Sequence, residues 1–232
     1  MTRVALITAG GSGMGADAAR RLRADGFEVA ILSSSGKGAA LAAELGGLGH
    51  TGSNLVPADL KAFVAAAMAK WGRIDVLVNS FGHGPKGDLL DIDDENWHRG
   101  LDIFLMPAIR MARLVAPVMA ANGGGAIINI STFAAFEPRL AFPVSGVFRA
   151  GLASFTKLFS DRYGADNVRM NNVLPGFIDT LPQPPERTAS VPLGRMGTAA
   201  EISATISFLA SDGAAYITGQ NIRVDGGETR SL

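Results

Sequence analysis

An aliphatic run, Val4-Ala-Leu-Ile-Thr8, empties into Ala9-Gly10-Gly11-Ser12-Gly13-Met14-Gly15, and a segment of helix formers, Ala16 to Leu22, follows at once. Strand, glycine turn and helix in immediate succession constrain the chain more than any other feature. Glycines admit backbone angles closed to other residues and leave the amides at the helix start open to an approaching anion, which the helix dipole favours. At the head of an alternating chain, such a turn reads as a cradle for the pyrophosphate of a dinucleotide rather than as a plain tight turn.

The alternation is present. Short β-branched or aliphatic runs span Val4 to Thr8, Val29 to Leu32, Ile74 to Asn79, Ala126 to Ile130, Val168 to Leu174 and Asn221 to Val224. Between them lie segments rich in Ala and Leu at helical spacing: Gly13 to Asp25, Lys37 to Leu45, Pro57 to Trp71, Asp93 to Ala121, Phe142 to Tyr163 and Ala199 to Ala210. Runs of this kind are buried parallel strands, and the pattern predicts one α/β domain over residues 1–232, a doubly wound parallel sheet with helices on both faces. Ligands of such sheets bind beyond the carboxyl ends of the strands. Pro107 and Pro117 interrupt the long fourth helical segment, where each removes a backbone donor. Leu181-Pro-Gln-Pro-Pro-Glu186 is too short to divide domains and reads as a surface loop.

Composition narrows the function. With 21 Lys+Arg against 21 Asp+Glu among 232 residues, and no basic run, there is no field to hold a polyanion, so nucleic acid is not an expected partner. The absence of cysteine removes disulfides, thiolate catalysis and Cys-ligated metal centres, and no metal site is expected. The apolar stretch at the N-terminus is too short for a signal peptide, and no run of about 18 apolar residues exists, so the expectation is a cytoplasmic protein without membrane partners.

Five blocks, in order, give this chain a specific resemblance. Thr8-Ala-Gly-Gly-Ser-Gly-Met-Gly15, Trp71-Gly-Arg-Ile-Asp-Val-Leu-Val-Asn79, Ile127-Ile-Asn-Ile-Ser131, Pro175-Gly-Phe-Ile-Asp-Thr180 and Thr218-Gly-Gln-Asn-Ile-Arg-Val-Asp-Gly-Gly227 resemble the short-chain dehydrogenases/reductases over nearly the whole length. The resemblance implies a Rossmann-like sheet of about seven strands, an NAD(P) cofactor across its carboxyl edge, a small-molecule substrate and a homo-oligomer, dimer or tetramer. Carried over by position, Gly11, Ser12, Gly13, Met14 and Gly15 contact phosphates and ribose, Asn79 lies near the cofactor, and Pro175, Ile178 and Thr180 flank the nicotinamide amide. The oligomer expectation falls on Phe142 to Tyr163, whose Phe148, Leu152, Phe155, Leu158 and Phe159 make it more apolar than a solvated helix.

The end of the second strand reads Ile31-Leu-Ser-Ser-Ser-Gly-Lys37. No carboxylate stands there to accept a ribose 2′-hydroxyl or repel a 2′-phosphate, while Ser33, Ser34 and Lys37 are donors, so NADP is expected over NAD. Two positions depart from the family. Ser53, beside Asn54, replaces the acid that contacts adenine, and Phe81 stands where a small residue lies against the cofactor.

The proton relay departs altogether. Reduction of a carbonyl requires a proton on oxygen as well as hydride on carbon, and the family supplies it from Tyr-x-x-x-Lys with an assisting Ser and Asn. Registered on the flanking blocks, those four places hold Ser145, Arg149, Thr132 and Phe104. The only tyrosines are Tyr163 and Tyr216, each followed four residues later by an amide, Asn167 or Gln220. Thr132 can donate to an oxygen, Ser145 has no useful acidity, and Arg149 is a fixed cation. His83 and Glu137, with Asp179, are then the candidate substitute acids at the strand ends. The reading is an NAD(P)(H)-dependent oxidoreductase with an altered relay, acting on a small or apolar carbonyl or alcohol. A nucleotide sensor or non-catalytic partner subunit is the first alternative. The second is chemistry like that of halohydrin dehalogenases, or lyase chemistry, without hydride transfer.

Overall fold

The computed structural model describes residues 2–181 and 185–231. Seven strands form one parallel sheet in the order β3-β2-β1-β4-β5-β6-β7. They are β1 (Val4–Thr8), β2 (Glu28–Ser33), β3 (Leu48–Thr51), β4 (Val76–Asn79), β5 (Gly125–Ile130), β6 (Val168–Pro175) and β7 (Asn221–Val224). All but β3 follow the aliphatic runs of the sequence. β3 escapes the pattern because it is a four-residue edge strand, Leu-Gly-His-Thr, half of it in solvent, and its pairing with β2 (Ala30 opposite Leu48) is what makes it a strand. Gly49 matters here: a Cβ would come within 2.6 Å of the Ala39 Cα, so only glycine lets the neighbouring helix close on the edge.

Side chains alternate across each strand, and the sheet therefore buries two separate layers. Ile7, Ile31, Val78, Ile128 and Val173 face one layer, covered by α1 (Gly13–Ala24), α2 (Gly36–Glu44) and α8 (Ala199–Ala210). Leu6, Leu32, Leu77, Ile127 and Met170 face the other, covered by α3 (Pro57–Trp71), α5 (Met106–Ala121) and α6 (Pro143–Tyr163). The helix expected over Asp93 to Ala121 is two: α4 (Asp94–Phe104) and α5 meet at Leu105. Pro107 is the cause, since it offers no N–H to the Ile103 carbonyl one turn back and its ring crowds that carbonyl. Pro117 lies inside α5 without ending it. Asp94–Ala121 is long and apolar enough to match a membrane span, but half of its most apolar stretch is buried inside the protein, and α5 packs its Met111, Val115 and Met119 against the sheet. Of the loop expected over Leu181 to Glu186, residues 182–184 lie outside the described residues; a short helix, α7 (Pro185–Ala189), begins within it.

α8 opens with a capping box. Thr198 Oγ1 accepts from the Glu201 amide at 3.2 Å, and the Glu201 carboxylate accepts from the Thr198 amide at 2.8 Å and from Arg195 at 2.7 Å. The Arg195 guanidinium first, then the Thr198 amide, holds the Glu201 carboxyl down at about 2, against 4.5 when unpaired. A depressed carboxylate pKa stabilises the fold above the unfolded value and ceases to do so as pH falls through the folded one. Accordingly, between about pH 4.5 and 2 the melting temperature of the wild type is expected to fall more steeply than that of Glu201→Gln. Parallel melting curves for the two proteins across that window would count against the capping pair.

Candidate active site

The winding of the sheet reverses between β1 and β4, and the loops beyond their carboxyl ends part there. They leave a crevice of about 390 Å³, walled by Gly11 to Met14 after β1, Ser33 to Ser35 after β2, Asn54, Ser80 to His83 after β4, and Thr180. At the inner end of α1, Ser12 occupies the cap position in extended geometry but makes no side-chain cap bond, and the first turn holds no acid. The amides at that helix start therefore face the crevice without a competing anion. The glycines make the approach possible. A Cβ on Gly11 would meet Ser33 Oγ at 2.5 Å, one on Gly15 would meet the Ala9 carbonyl at 3.0 Å, and Gly13 has φ +54°. This turn fits a pyrophosphate.

A second uncapped helix start lies across the crevice. Ser35 precedes α2, makes no cap bond, and is followed by Lys37 rather than by an acid. Ser33 is buried, and its Oγ accepts from the Ser35 amide at 3.3 Å, while Ser34 and Ser35 are exposed. Lys37 is exposed on α2 and is not part of the crevice wall. Asn54 lines the wall, donating to the Ser80 carbonyl at 3.3 Å, whereas Ser53 turns inward on its own loop, its Oγ accepting from the Leu55 amide at 3.2 Å.

Asn79 lies beneath the crevice rather than in its wall. Its side chain is sealed below the crevice, where Nδ2 donates to Asn129 Oδ1 at 2.9 Å. Asn129 Nδ2 donates in turn to Asn172 Oδ1 at 2.9 Å, and Asn172 Nδ2 to Asn221 Oδ1 at 2.7 Å. Thr8, Asn79, Asn129, Asn172 and Asn221 pair in register across five adjacent strands, and Thr156 of α6 closes the network with a 3.0 Å bond to Asn172. Fully paired buried amides of this kind rigidify the sheet directly beneath the ligand site.

Beyond His83 the crevice opens into a chamber of about 450 Å³. Met14, Gly82, His83, Thr180 and Leu181 border both spaces; Pro175, Ile178, Thr132, Ser145 and Arg149 line the chamber. Thr132 leaves β5 in extended geometry, its Oγ1 accepting from the Ala134 amide at 3.3 Å, so the hydroxyl proton stays free to donate. Ser145 and Arg149 stand one turn apart on the same face of α6, and Pro143 starts that helix. Arg149 is 8% exposed. Its Nη1 donates to the Ile130 carbonyl at 2.7 Å, and its guanidinium lies 5.1 Å from the Phe81 ring centre and 4.8 Å from that of Phe104. Burial pulls its pKa down to about 10. The three replacements at 81, 104 and 149 are thus one constellation: a cation held between two ring faces.

The other substitute acids separate. His83 sits at the junction of crevice and chamber. Glu137 does not reach the chamber wall; its carboxylate accepts from the Arg230 and Ser231 amides of the C-terminal tail. The Ser231 amide holds that carboxyl below the usual carboxylate range, which makes it a poor proton donor. Arg139, two residues on, pairs instead with the buried Glu228 at 2.7 Å. Asp179 is exposed and accepts from the Ala199 amide at the start of α8. Ser131, Lys86 and Arg187, which sequence reading passed over, also line the chamber. Ser131 adjoins Thr132 just beyond the end of β5, a signal that was legible; Lys86 and Arg187 come from loop and short helix, where no periodicity marks them.

Residues 8–229 match the family model described as enoyl-(acyl carrier protein) reductase. The chain is 34% identical to a 7alpha-hydroxysteroid dehydrogenase of Bacteroides fragilis over 98% of its own length and 94% of the relative's. It is 35% identical to a trans-4-hydroxycyclohexanecarboxylate dehydrogenase of Sinomonas cyclohexanicum over 98% and 93%. Among solved structures it resembles L-sorbose reductase from Gluconobacter frateurii, crystallised with NADPH and L-sorbose. The TM-score is 0.90, with 26% identity and coverage of 100% and 98% of the two chains.

Proposed function

The chain belongs to the short-chain dehydrogenase/reductase family of oxidoreductases, and we propose that it binds NADP(H) and interconverts a small, largely apolar carbonyl compound and its alcohol. The observation that carries this reading is the uncapped start of α1, whose free amides open into a crevice continuous with an apolar chamber. When bound, the reduced nicotinamide supplies hydride.

The chain's own residues do the rest. The Gly11 to Gly15 amides hold pyrophosphate, and Ser34, Ser35 and the start of α2, with Lys37 one turn in, favour a 2′-phosphate. Pro175, Ile178 and Thr180 would flank the nicotinamide, and Phe104, Phe133, Phe142 and Phe177 keep the chamber poor in water. Thr132 and Ser145 donate hydrogen bonds that orient the substrate oxygen, Arg149 provides a fixed positive charge nearby, and His83 carries the proton. The relatives' names describe ring alcohols and a sugar, consistent with a secondary alcohol or ketone. A cytoplasmic homo-oligomer is the setting we propose; Val147 and Leu158 of α6 expose apolar surface for it.

The nucleotide-sensor reading has one observation in its favour: the Arg149 guanidinium is engaged by a carbonyl and two rings rather than standing open to a ribose. Fluorescence titration with NADPH and NADH, followed by loss of nicotinamide absorbance across a panel of cyclic and aryl ketones, separates the two. Tighter binding of NADPH and measurable turnover are expected. In His83→Gln, kcat is expected to fall at least tenfold with little change in KM; wild-type kcat in that variant removes His83 as the proton source.

A further inference from the structure

Arg149 and Ser131 share a property with no other described residue. Arg149 Nε and Ser131 Oγ are the buried side-chain polar atoms that find no hydrogen-bond partner, and both residues line the chamber. Buried polar groups without partners are uncommon, and the two found among the described residues belong to side chains of one cavity wall. Charge marks the same wall. Arg149 and Lys86 line the chamber, while among the described residues no Asp or Glu does. The Arg149 cation is nine-tenths buried, and among the described residues its contacts are a neutral carbonyl and two ring faces, without a carboxylate. A buried cation without a counter-charge has lost much of its hydration and recovered only part of it.

We propose that this chamber takes an anionic ligand, so that the substrate is a carbonyl or hydroxy compound bearing a carboxylate, with Arg149 as the recognising cation and Ser131 and Lys86 beside it. This deepens the oxidoreductase reading and rests on it for the word substrate; recognition of the anion does not depend on turnover. The apolar walls from Phe133, Phe142 and Phe177 fit a carboxylate carried on a ring or short hydrocarbon body better than a bare inorganic anion.

The probe pair is benzoate and benzamide, nearly equal in shape and different in charge, titrated calorimetrically into the full chain with and without saturating NADPH. Benzoate is expected to bind at least tenfold more tightly than benzamide. That preference is expected to fall to about threefold or less in Arg149→Met and to be reduced in part in Lys86→Gln, whose exposed position leaves the fold intact. Equal affinities in the wild type overturn the proposal without recourse to any variant. A preference undiminished in a folded Arg149→Met overturns the assignment to Arg149. Failure of NADPH to bind, with the benzoate preference intact, sinks the oxidoreductase reading instead and leaves the anion site standing.

Discussion

Asn129→Ala is expected to destabilise the protein by about 3 kcal/mol, the largest loss anticipated from removing one uncharged side chain outside the apolar layers. Asn129 is fully buried, accepts from Asn79 and donates to Asn172 at the centre of the amide ladder. Alanine leaves the Asn79 donor without a partner, takes one donor from Asn172, and opens a small void. An orphaned buried polar group costs about 1–3 kcal/mol, and the void adds to it. For a chain of this size that is a fall in melting temperature of roughly 6–12 °C. Asn221, at the partly exposed end of the ladder, supplies the contrast. Water can replace it, and Asn221→Ala is expected to cost about 1 kcal/mol or less. Thermal melts of the two variants decide the matter, because equal losses would mean that the ladder does not act as a buried unit.

The second large effect separates binding from stability. Ser12→Asp places a carboxylate at the cap of α1, where the serine makes no cap bond. Aspartate in extended cap geometry accepts from the first-turn amides and favours the helix dipole, so stability is expected to rise by about 0.5–1 kcal/mol. The same carboxylate takes the amides that a pyrophosphate needs and repels it. Two charges about 4 Å apart near a protein surface interact by about 1–4 kcal/mol, and a value in the middle of that range is about a hundredfold in affinity. NADPH binding is therefore expected to weaken by about a hundredfold while the melting temperature holds or rises. Unchanged affinity in a variant that melts higher would show that the cofactor does not lie over this helix start.

These two expectations draw on different kinds of information. The glycine turn was legible as an anion cradle because its chemistry is local: strand, turn and helix are consecutive, and the backbone freedom of glycine does not depend on the rest of the fold. The Asn79, Asn129 and Asn172 amides were readable as strand residues but not as a ladder, since their registration depends on which strands become neighbours. The same division holds at the chamber. Phe81, Phe104 and Arg149 read separately as departures from a family pattern, and only the packing of α4 and α6 beside the loop after β4 turns them into a cation between two rings. Glu137 shows the opposite failure. Its position between Thr132 and Ser145 placed it near the substrate path, but the C-terminal tail supplies two amides that draw its carboxylate away.

What the residues determined by themselves was the periodic part: aliphatic runs long enough to be buried on both faces, helices between them, and glycines that keep the first turn open. The edge strand β3, the amide ladder and the charge of the chamber were decided only on folding. Each depends on groups far apart in the chain whose partners are chosen by tertiary packing, and whose energies, a hydrogen bond kept or orphaned and a cation paired or not, do not exist until that packing excludes water.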